Sequence, residues 1–261
     1  MKNQNKQNIL VLTDLKENSL NVLKSAASLA HMTDADIELF HVKKPLEVVK
    51  HENQLSATRS IEEIHANVVG QLKQLAHEIY RTHAIKVRYS FSFGNIRNEV
   101  KHKLEQQQHD IVVVGKRTTK KPAYLGDNMV PFVLKNFDRM VLVADTKNVI
   151  EASESLAVGL LKDTTSDNPL AATLAAHAKK PLRLFTVASK NPAEVEAKPH
   201  SGEMVRYIFE QSDTVVKNIS NYITKNAINL ICVADRNKQP GDVNLNKIIN
   251  QVGASLLVPA N

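Results

Sequence analysis

The chain lays out one plan twice, and this constrains its fold more than any other feature of its 261 residues. Asp110-Ile-Val-Val-Val-Gly-Lys-Arg117 returns 119 residues later as Asn229-Leu-Ile-Cys-Val-Ala-Asp-Arg236. Val87-Arg-Tyr89 returns as Val205-Arg-Tyr207, an offset of 118. Self-similarity at a fixed period marks a repeated structural unit. The copies differ in one large respect. Phe40 to Val87 spans 47 residues, whereas Phe185 to Val205 spans 20 and contains Pro192, Pro199 and Gly202. The second copy therefore lacks a long helix that the first one holds.

Within the first copy, apolar runs and helical periods alternate. Asn8-Ile-Leu-Val-Leu-Thr-Asp14 and Asp110–Val114 read as buried strands, because β-branched runs of this length fit parallel strands covered on both faces. Asp36–Val42, Ile85–Phe93 and Arg139–Ala144 complete a set of five. Between them lie helical patterns. Asn18-Ser19 can cap the first, which carries Leu20, Leu23, Ala27 and Ala30. Ile61, Ile64, Val68, Leu72, Leu75 and Ile79 form one stripe about five turns long, the spacing of an amphipathic helix packed on a core. Ile96, Val100 and Leu104 mark a third helix, and Val130, Val133, Leu134 and Phe137 a fourth. Strands alternating with helices predict a doubly wound parallel sheet of class α/β. The second copy offers Ser155–Asp163, Pro181–Val187, Val205–Tyr207, Asn229–Val233 and Ala254–Val258 as its strands. The boundaries follow as one domain over 1–146, a linker over 147–153 and a second domain over 154–261.

Composition narrows the function. No apolar run approaches the roughly 20 residues that a membrane span requires. The polar start, Met-Lys-Asn-Gln-Asn-Lys-Gln, has no apolar segment of the signal-peptide kind. Cys232 is the single cysteine and lies in an apolar run, so a buried core thiol is expected. A cytoplasmic location follows as the expectation. The net charge is +7, most of it in the first copy. Such an excess attracts anions. Tryptophan is absent and no aromatic residues interleave a basic stripe, which argues against nucleic acid.

Catalytic and metal signatures are missing. None of the ten histidines stands in a His-Glu-x-x-His or similar ligand spacing. There is no Gly-x-Ser-x-Gly elbow for a hydrolase nucleophile and no Gly-x-x-x-x-Gly-Lys-Ser/Thr loop. What remains is the loop after Val114, where a strand, a glycine and a basic segment lead to a helix. Unpaired backbone N–H groups at such a junction hold phosphates in α/β proteins.

The layout resembles the universal stress protein family in its tandem two-domain form. Asn8-Ile-Leu-Val-Leu-Thr-Asp-Leu-Lys-Glu-Asn-Ser-Leu20 is similar to the opening strand, acidic residue and helix start of that family. Phe40-His-Val42 is similar to its second strand end, His109-Asp-Ile-Val-Val-Val-Gly115 to its fourth strand, and Met140-Val-Leu-Val143 to its closing strand. The resemblance implies two Rossmann-like, five-stranded sheets of strand order 3-2-1-4-5, the second lacking its long second helix. It also implies a pseudo-dimer joined through Met140–Ala144 and Ala254–Val258, the last strand being the edge that pairs domains in this family. Pairing would satisfy edge groups that otherwise invite aggregation. Function would be non-catalytic: a stress-responsive regulator acting through protein partners or self-association.

ATP-binding members of that family carry Gly, two residues, Gly, nine residues, then Gly-Ser or Gly-Thr. Here Gly115 fits the first glycine, Thr118 stands for the second, and Gly126-Asp127-Asn128 resembles the third and its neighbours. Ten residues separate Gly115 from Gly126, two fewer than the motif. Thr118 does not readily take the backbone conformations of glycine, and the Asp127 carboxylate would repel a polyphosphate. Lys116, Arg117, Lys120 and Lys121 supply cations. The site implied by the resemblance is Thr13, Asp14, Val42, Gly115, Lys116, Arg117, Gly126, Asp127 and Asn128. Two readings of the loop stay open: a solvated basic loop without ligand, as in a purely structural protein-interaction module, and a degenerate site for ATP or AMP, with slow ATP hydrolysis as the enzymatic variant. Asp14 is open too, as an acceptor for a ribose or adenine at the topological switch point, or as a turn-capping residue at a strand end. In the second copy Ala234 replaces the glycine, and the missing helix should leave one side of its sheet with exposed apolar surface that the other half or a second chain buries.

Overall fold

The computed structural model describes residues 6–44, 54–116, 129–151, 156–161, 169–178, 181–188, 204–237, 239 and 243–260. The first half runs β1 (Asn8–Thr13), α1 (Ser19–Thr33), β2 (Asp36–Lys43), α2 (Gln54–His83), β3 (Val87–Phe93), α3 (Ile96–Glu105), β4 (Ile111–Gly115), α4 (Met129–Asn136) and β5 (Met140–Ala144). The second runs β6 (Val158–Leu161), α5 (Pro169–Ala176), β7 (Leu182–Ala188), β8 (Met204–Glu210), α6 (Val215–Lys225), β9 (Leu230–Val233), α7 (Leu245–Gln251) and β10 (Ser255–Val258).

All ten strands join in a single sheet of order β3-β2-β1-β4-β5-β10-β9-β6-β7-β8. Read inward from either edge, the order is 3-2-1-4-5, so both halves wind as expected. Every pairing within a half is parallel. The seam is antiparallel, with Val143 opposite Leu256, Leu142 opposite Leu257 and Val141 opposite Val258. The last strand of each half thus closes the edge of the other, and six apolar side chains are buried there.

Local sequence explains the elements. β1, β4, β9 and β10 are buried along nearly their whole lengths, as strands covered by helices on both faces must be. α1 presents Val22, Leu23, Ala26, Ala27, Leu29 and Ala30 to the sheet, and its alanines permit a close approach. It ends at Asp34, whose left-handed backbone (φ 50) lets its N–H reach the Ala30 carbonyl. α3 starts where the Asn95 side chain accepts from the N–H groups of Arg97 and Asn98. α7 starts in the same way, Asn244 accepting from Asn246.

Two apolar layers sandwich the sheet. One joins α1 and α2 to Ile9, Val11, Ile37, Leu39 and Ile111, and continues unbroken into the second half through Ile150, Leu156 and Leu174. The other lies under α3, α4, α6 and α7. The connection between the halves is part of the first layer: Ile150 is fully buried, its N–H donates to Ser25 Oγ at 3.1 Å, and Asn21 donates to the Thr146 carbonyl at 2.8 Å. Cys232 is buried as expected, and its apolar surroundings push the thiol up to about 12.

The Val-Arg-Tyr match does not survive in three dimensions. Val87 lies opposite Ile37 and faces the α1–α2 layer, but its structural counterpart is Met204, opposite Leu182. Val205 and Tyr207 are one residue out of step and point to the other face, because side chains alternate along a strand. There Tyr207 joins Phe185, Phe209 and Tyr222 in an aromatic cluster. Gly159 makes room for it: a Cβ at that position would lie 2.5 Å from Phe185 Cε2.

No counterpart of α2 exists among the described residues of the second half, and residues 189–203, between β7 and β8, lie outside the described residues. Leu184 and Leu174 are buried and α5 packs beside α1, so the inner part of that face is covered by this chain itself. Ile208, on β8, is 59% exposed.

Candidate functional site

In open α/β sheets the ligand crevice lies beyond the carboxyl ends of strands, where the order reverses. Here that point is between β1 and β4. The strand register brings Thr13, His41, Gly115 and the strand ends around them to one rim.

Thr13 and Asp14 build the turn out of β1. Thr13 Oγ1 accepts from the Leu15 N–H at 3.1 Å, and Asp14 Oδ1 accepts from the Lys16 N–H at 3.1 Å and from Ser19 Oγ at 3.2 Å. These bonds hold Leu15 in a left-handed conformation (φ 58) and lead into α1. The capping geometry of Asp14 is therefore present. Its side chain is also 63% exposed, with the Lys16 ammonium 3.6 Å away, so the carboxylate faces solvent. The neighbouring strand contributes His41, whose Nδ1 lies 2.9 Å from the Thr13 carbonyl. A carbonyl can only accept, so Nδ1 carries the proton. Val42 turns into the core beneath.

Gly115 has a packing reason to be glycine. A Cβ there would come 2.8 Å from Val22 Cγ2, so α1 can cross β4 at this height only because the side chain is missing. Lys116 turns away from α1 and toward the second half. Its ammonium donates to the Val252 carbonyl at 2.7 Å and to the Ala254 carbonyl, and Asp145 Oδ2 lies 3.9 Å away. The side chain is 9% exposed. Burial lowers the pKa of this lysine to about 8, against the opposing pull of Asp145. Arg117, Gly126, Asp127 and Asn128, with Thr118, Lys120 and Lys121, lie outside the described residues.

A mirror-image arrangement crosses the seam in the other direction. Arg236, beyond the end of β9, donates through Nη1 to the Leu134 carbonyl at 3.1 Å, and also to the carbonyls of Phe137, Arg139 and Pro259. Lys116 thus holds the chain leaving α7, and Arg236 the chain leaving α4. Both place a cation against the unpaired carbonyls at a helix C-terminus, where the helix dipole favours positive charge. Sequence reading missed Arg236. The available signal was a basic residue following an apolar strand in both copies, but the alignment pairs Arg236 with Arg117, not with Lys116.

A second polar cluster, also missed, sits at the opposite end of the strands. Glu38 accepts from Lys103 Nζ at 2.6 Å, His109 Nε2 at 3.0 Å and Ser90 Oγ at 2.6 Å. The His109 hydrogen bond, with Lys103 and Ser90, holds the carboxyl well below the usual carboxylate range despite burial. The serine bonds to the carboxylate and not to the histidine, so this is no activated nucleophile. The sequence gives no hint of it, since the four residues come from four separate elements.

An open cavity of about 700 Å³ lies at the seam, lined by Pro131, Leu134, Lys135, Arg236, Asn237 and Val243 among others. It is not at the rim formed by Thr13, Asp14 and Gly115. Among the described residues no group of histidine, cysteine and carboxylate side chains could hold a metal ion, and no helix is long and apolar enough to cross a membrane.

Comparison with known proteins agrees with this architecture. Residues 6–145 match the universal stress protein family. Among solved structures, a universal stress protein from Archaeoglobus fulgidus DSM 4304 covers 98% of this chain and 99% of its own, at 16% identity and a TM-score of 0.67. A structure from Pseudomonas aeruginosa UCBPP-PA14 covers 98% of this chain and 94% of its own, at 14% identity and a TM-score of 0.58. A universal stress protein in complex with cAMP covers 54% of this chain and 98% of its own, at 17% identity and a TM-score of 0.41. No protein of curated function matches. Identities of this size show the fold alone.

Proposed function

Because the chain belongs to the universal stress protein family, we propose that it is a non-catalytic regulatory protein of that type, acting through protein contacts, with at most a degenerate adenine-nucleotide site in its first half. The observation that carries this reading is the position of Lys116. The first cation after the strand-end glycine is buried against Val252, Ala254 and Asp145, and its ammonium is directed at the second half. A phosphate ligand would have to compete with two carbonyls and a carboxylate for that group. The shortened glycine loop and Asp127 point the same way.

The exposed carboxylate of Asp14 favours a second reading, in which ATP or AMP binds at the end of β1 and slow hydrolysis follows. Equilibrium titration of the intact chain with ATP, ADP and AMP, beside Asp14→Ala, separates the two. The proposal expects no association up to about millimolar nucleotide, a level worth only about 4 kcal/mol. Micromolar binding that disappears in Asp14→Ala would replace it with the nucleotide-dependent reading.

A further inference from the structure

β8 ends the ten-stranded sheet and has no neighbour on its outer side among the described strands. The direction of its free backbone groups can be read from the ladder. The Gln211 N–H donates to the Ala188 carbonyl of β7 at 3.2 Å, so the odd-numbered residues of β8 turn their N–H and C=O groups inward. Met204, Arg206, Ile208 and Glu210 turn theirs to the open edge. Open edges are usually protected by lysines, prolines, bulges or a covering helix. β8 is Met-Val-Arg-Tyr-Ile-Phe-Glu, with neither lysine nor proline, and among the described residues α2 has no counterpart above it. Ile208, one residue past its midpoint, is the most exposed residue of the strand that is also apolar and edge-facing.

The sequence of this strand is self-complementary. From Arg206 to Glu210 it reads cation, aromatic, isoleucine, aromatic, anion. We propose that β8 pairs antiparallel with β8 of a second copy about a two-fold axis at Ile208, extending the sheet across the two chains. In this register Ile208 faces its own symmetry mate, Arg206 faces Glu210 and Tyr207 faces Phe209. The parity of the backbone fits: within Arg206–Glu210 the three edge-directed residues meet edge-directed residues, as the hydrogen-bonded pairs of an antiparallel ladder require. The two Ile208 side chains come within about 5.5 Å and cover each other. Two reciprocal Arg206–Glu210 pairs fix the register, and an isologous contact of this kind closes after two chains. Among the described residues neither Arg206 nor Glu210 has an ion-pair partner within its own chain.

Sedimentation equilibrium on the intact chain tests this directly, because a dimer has twice the 29.0 kDa chain mass. The expected result is a dimer whose dissociation constant rises at least tenfold in Arg206→Glu, which sets like charges opposite one another. The double variant Arg206→Glu with Glu210→Arg should restore it. Ile208→Pro removes one edge-directed N–H while leaving the ladder to β7 intact, and should also give monomers with an unchanged circular dichroism spectrum. A wild-type chain that remains monomeric overturns the proposal. So does a dimer indifferent to the charge reversal, or one that the double variant fails to restore, since either outcome puts the contact elsewhere.

Discussion

The Lys116 ammonium donates to the main-chain carbonyl of Val252 at 2.7 Å, across the seam between the two halves. A lysine that follows a strand-end glycine in an α/β protein is usually read as an anion ligand. Here the same position serves to tie the end of β4 to the chain between α7 and β10. Arg236 ties the end of β9 to the chain after α4, so each half supplies one cation to the other's helix terminus.

Replacing Lys116 by methionine leaves two buried carbonyls without their donor, which costs about 1–3 kcal/mol. Urea unfolding of the purified variant measures it. A purely solvent-facing lysine would show almost no change.

The same comparison has a pH signature. The folded-state pKa of Lys116 is lowered to about 8 from 10.5. Between those values the unfolded chain binds more protons at this residue than the folded one, so its contribution to stability rises with pH. The wild type should gain on Lys116→Met from pH 8 to 10.5, by no more than about 1.4 kcal/mol per pH unit. Equal slopes for the two proteins would contradict the buried placement.

Gly115→Ala tests whether the glycine is required by packing. The new methyl would lie 2.8 Å from Val22 Cγ2 and overfill the α1–β4 contact, with an expected loss of about 1–3 kcal/mol. Val22→Ala in the same chain should recover much of it, which a double-mutant cycle reads as coupling. Additive losses would show that the two side chains do not compete for the space.

At low pH the Glu38 cluster should dominate. Its carboxyl is held below the unfolded value of 4.5, so its contribution is complete above that pH and is lost as pH falls through the lower folded value. Thermal melts between pH 5 and the acid limit should fall more steeply for the wild type than for Glu38→Gln. The reverse order would mean that the hydrogen bonds from His109, Lys103 and Ser90 do not favour the charged form.

Arg236→Leu removes the donor from four carbonyls and should cost more than Lys116→Met. A single cooperative unfolding transition is expected in both variants, since the sheet and the Ile150 layer are continuous across the halves. Two separated transitions, with the second half melting first, would show that the seam is weaker than its burial suggests.

The strands and helices of the first half were legible because each rests on a local rule: β-branched runs for β1 and β4, the Ile61–Ile79 period for α2, the spacing of Ile96, Val100 and Leu104 for α3. The repeat was legible as well, down to the seam strands. The Val87–Tyr89 match was not a structural one. Met204 occupies the position of Val87, and a similarity of three residues cannot register a one-residue slip that reverses every side chain. Of the candidate site, Thr13, Asp14 and Gly115 lie at one rim, and Lys116 follows them in sequence but points to the other half.

The sequence by itself determined the strand and helix plan and its duplication, because these depend on hydrophobic period and spacing along the chain. Only the tertiary structure decided what Lys116, Arg236 and Glu38 do. Their partners lie 136, 102 and 71 residues away, at Val252, Leu134 and His109. A charged side chain takes its role from the carbonyls and carboxylates that folding brings to it, and no local pattern records where those will be.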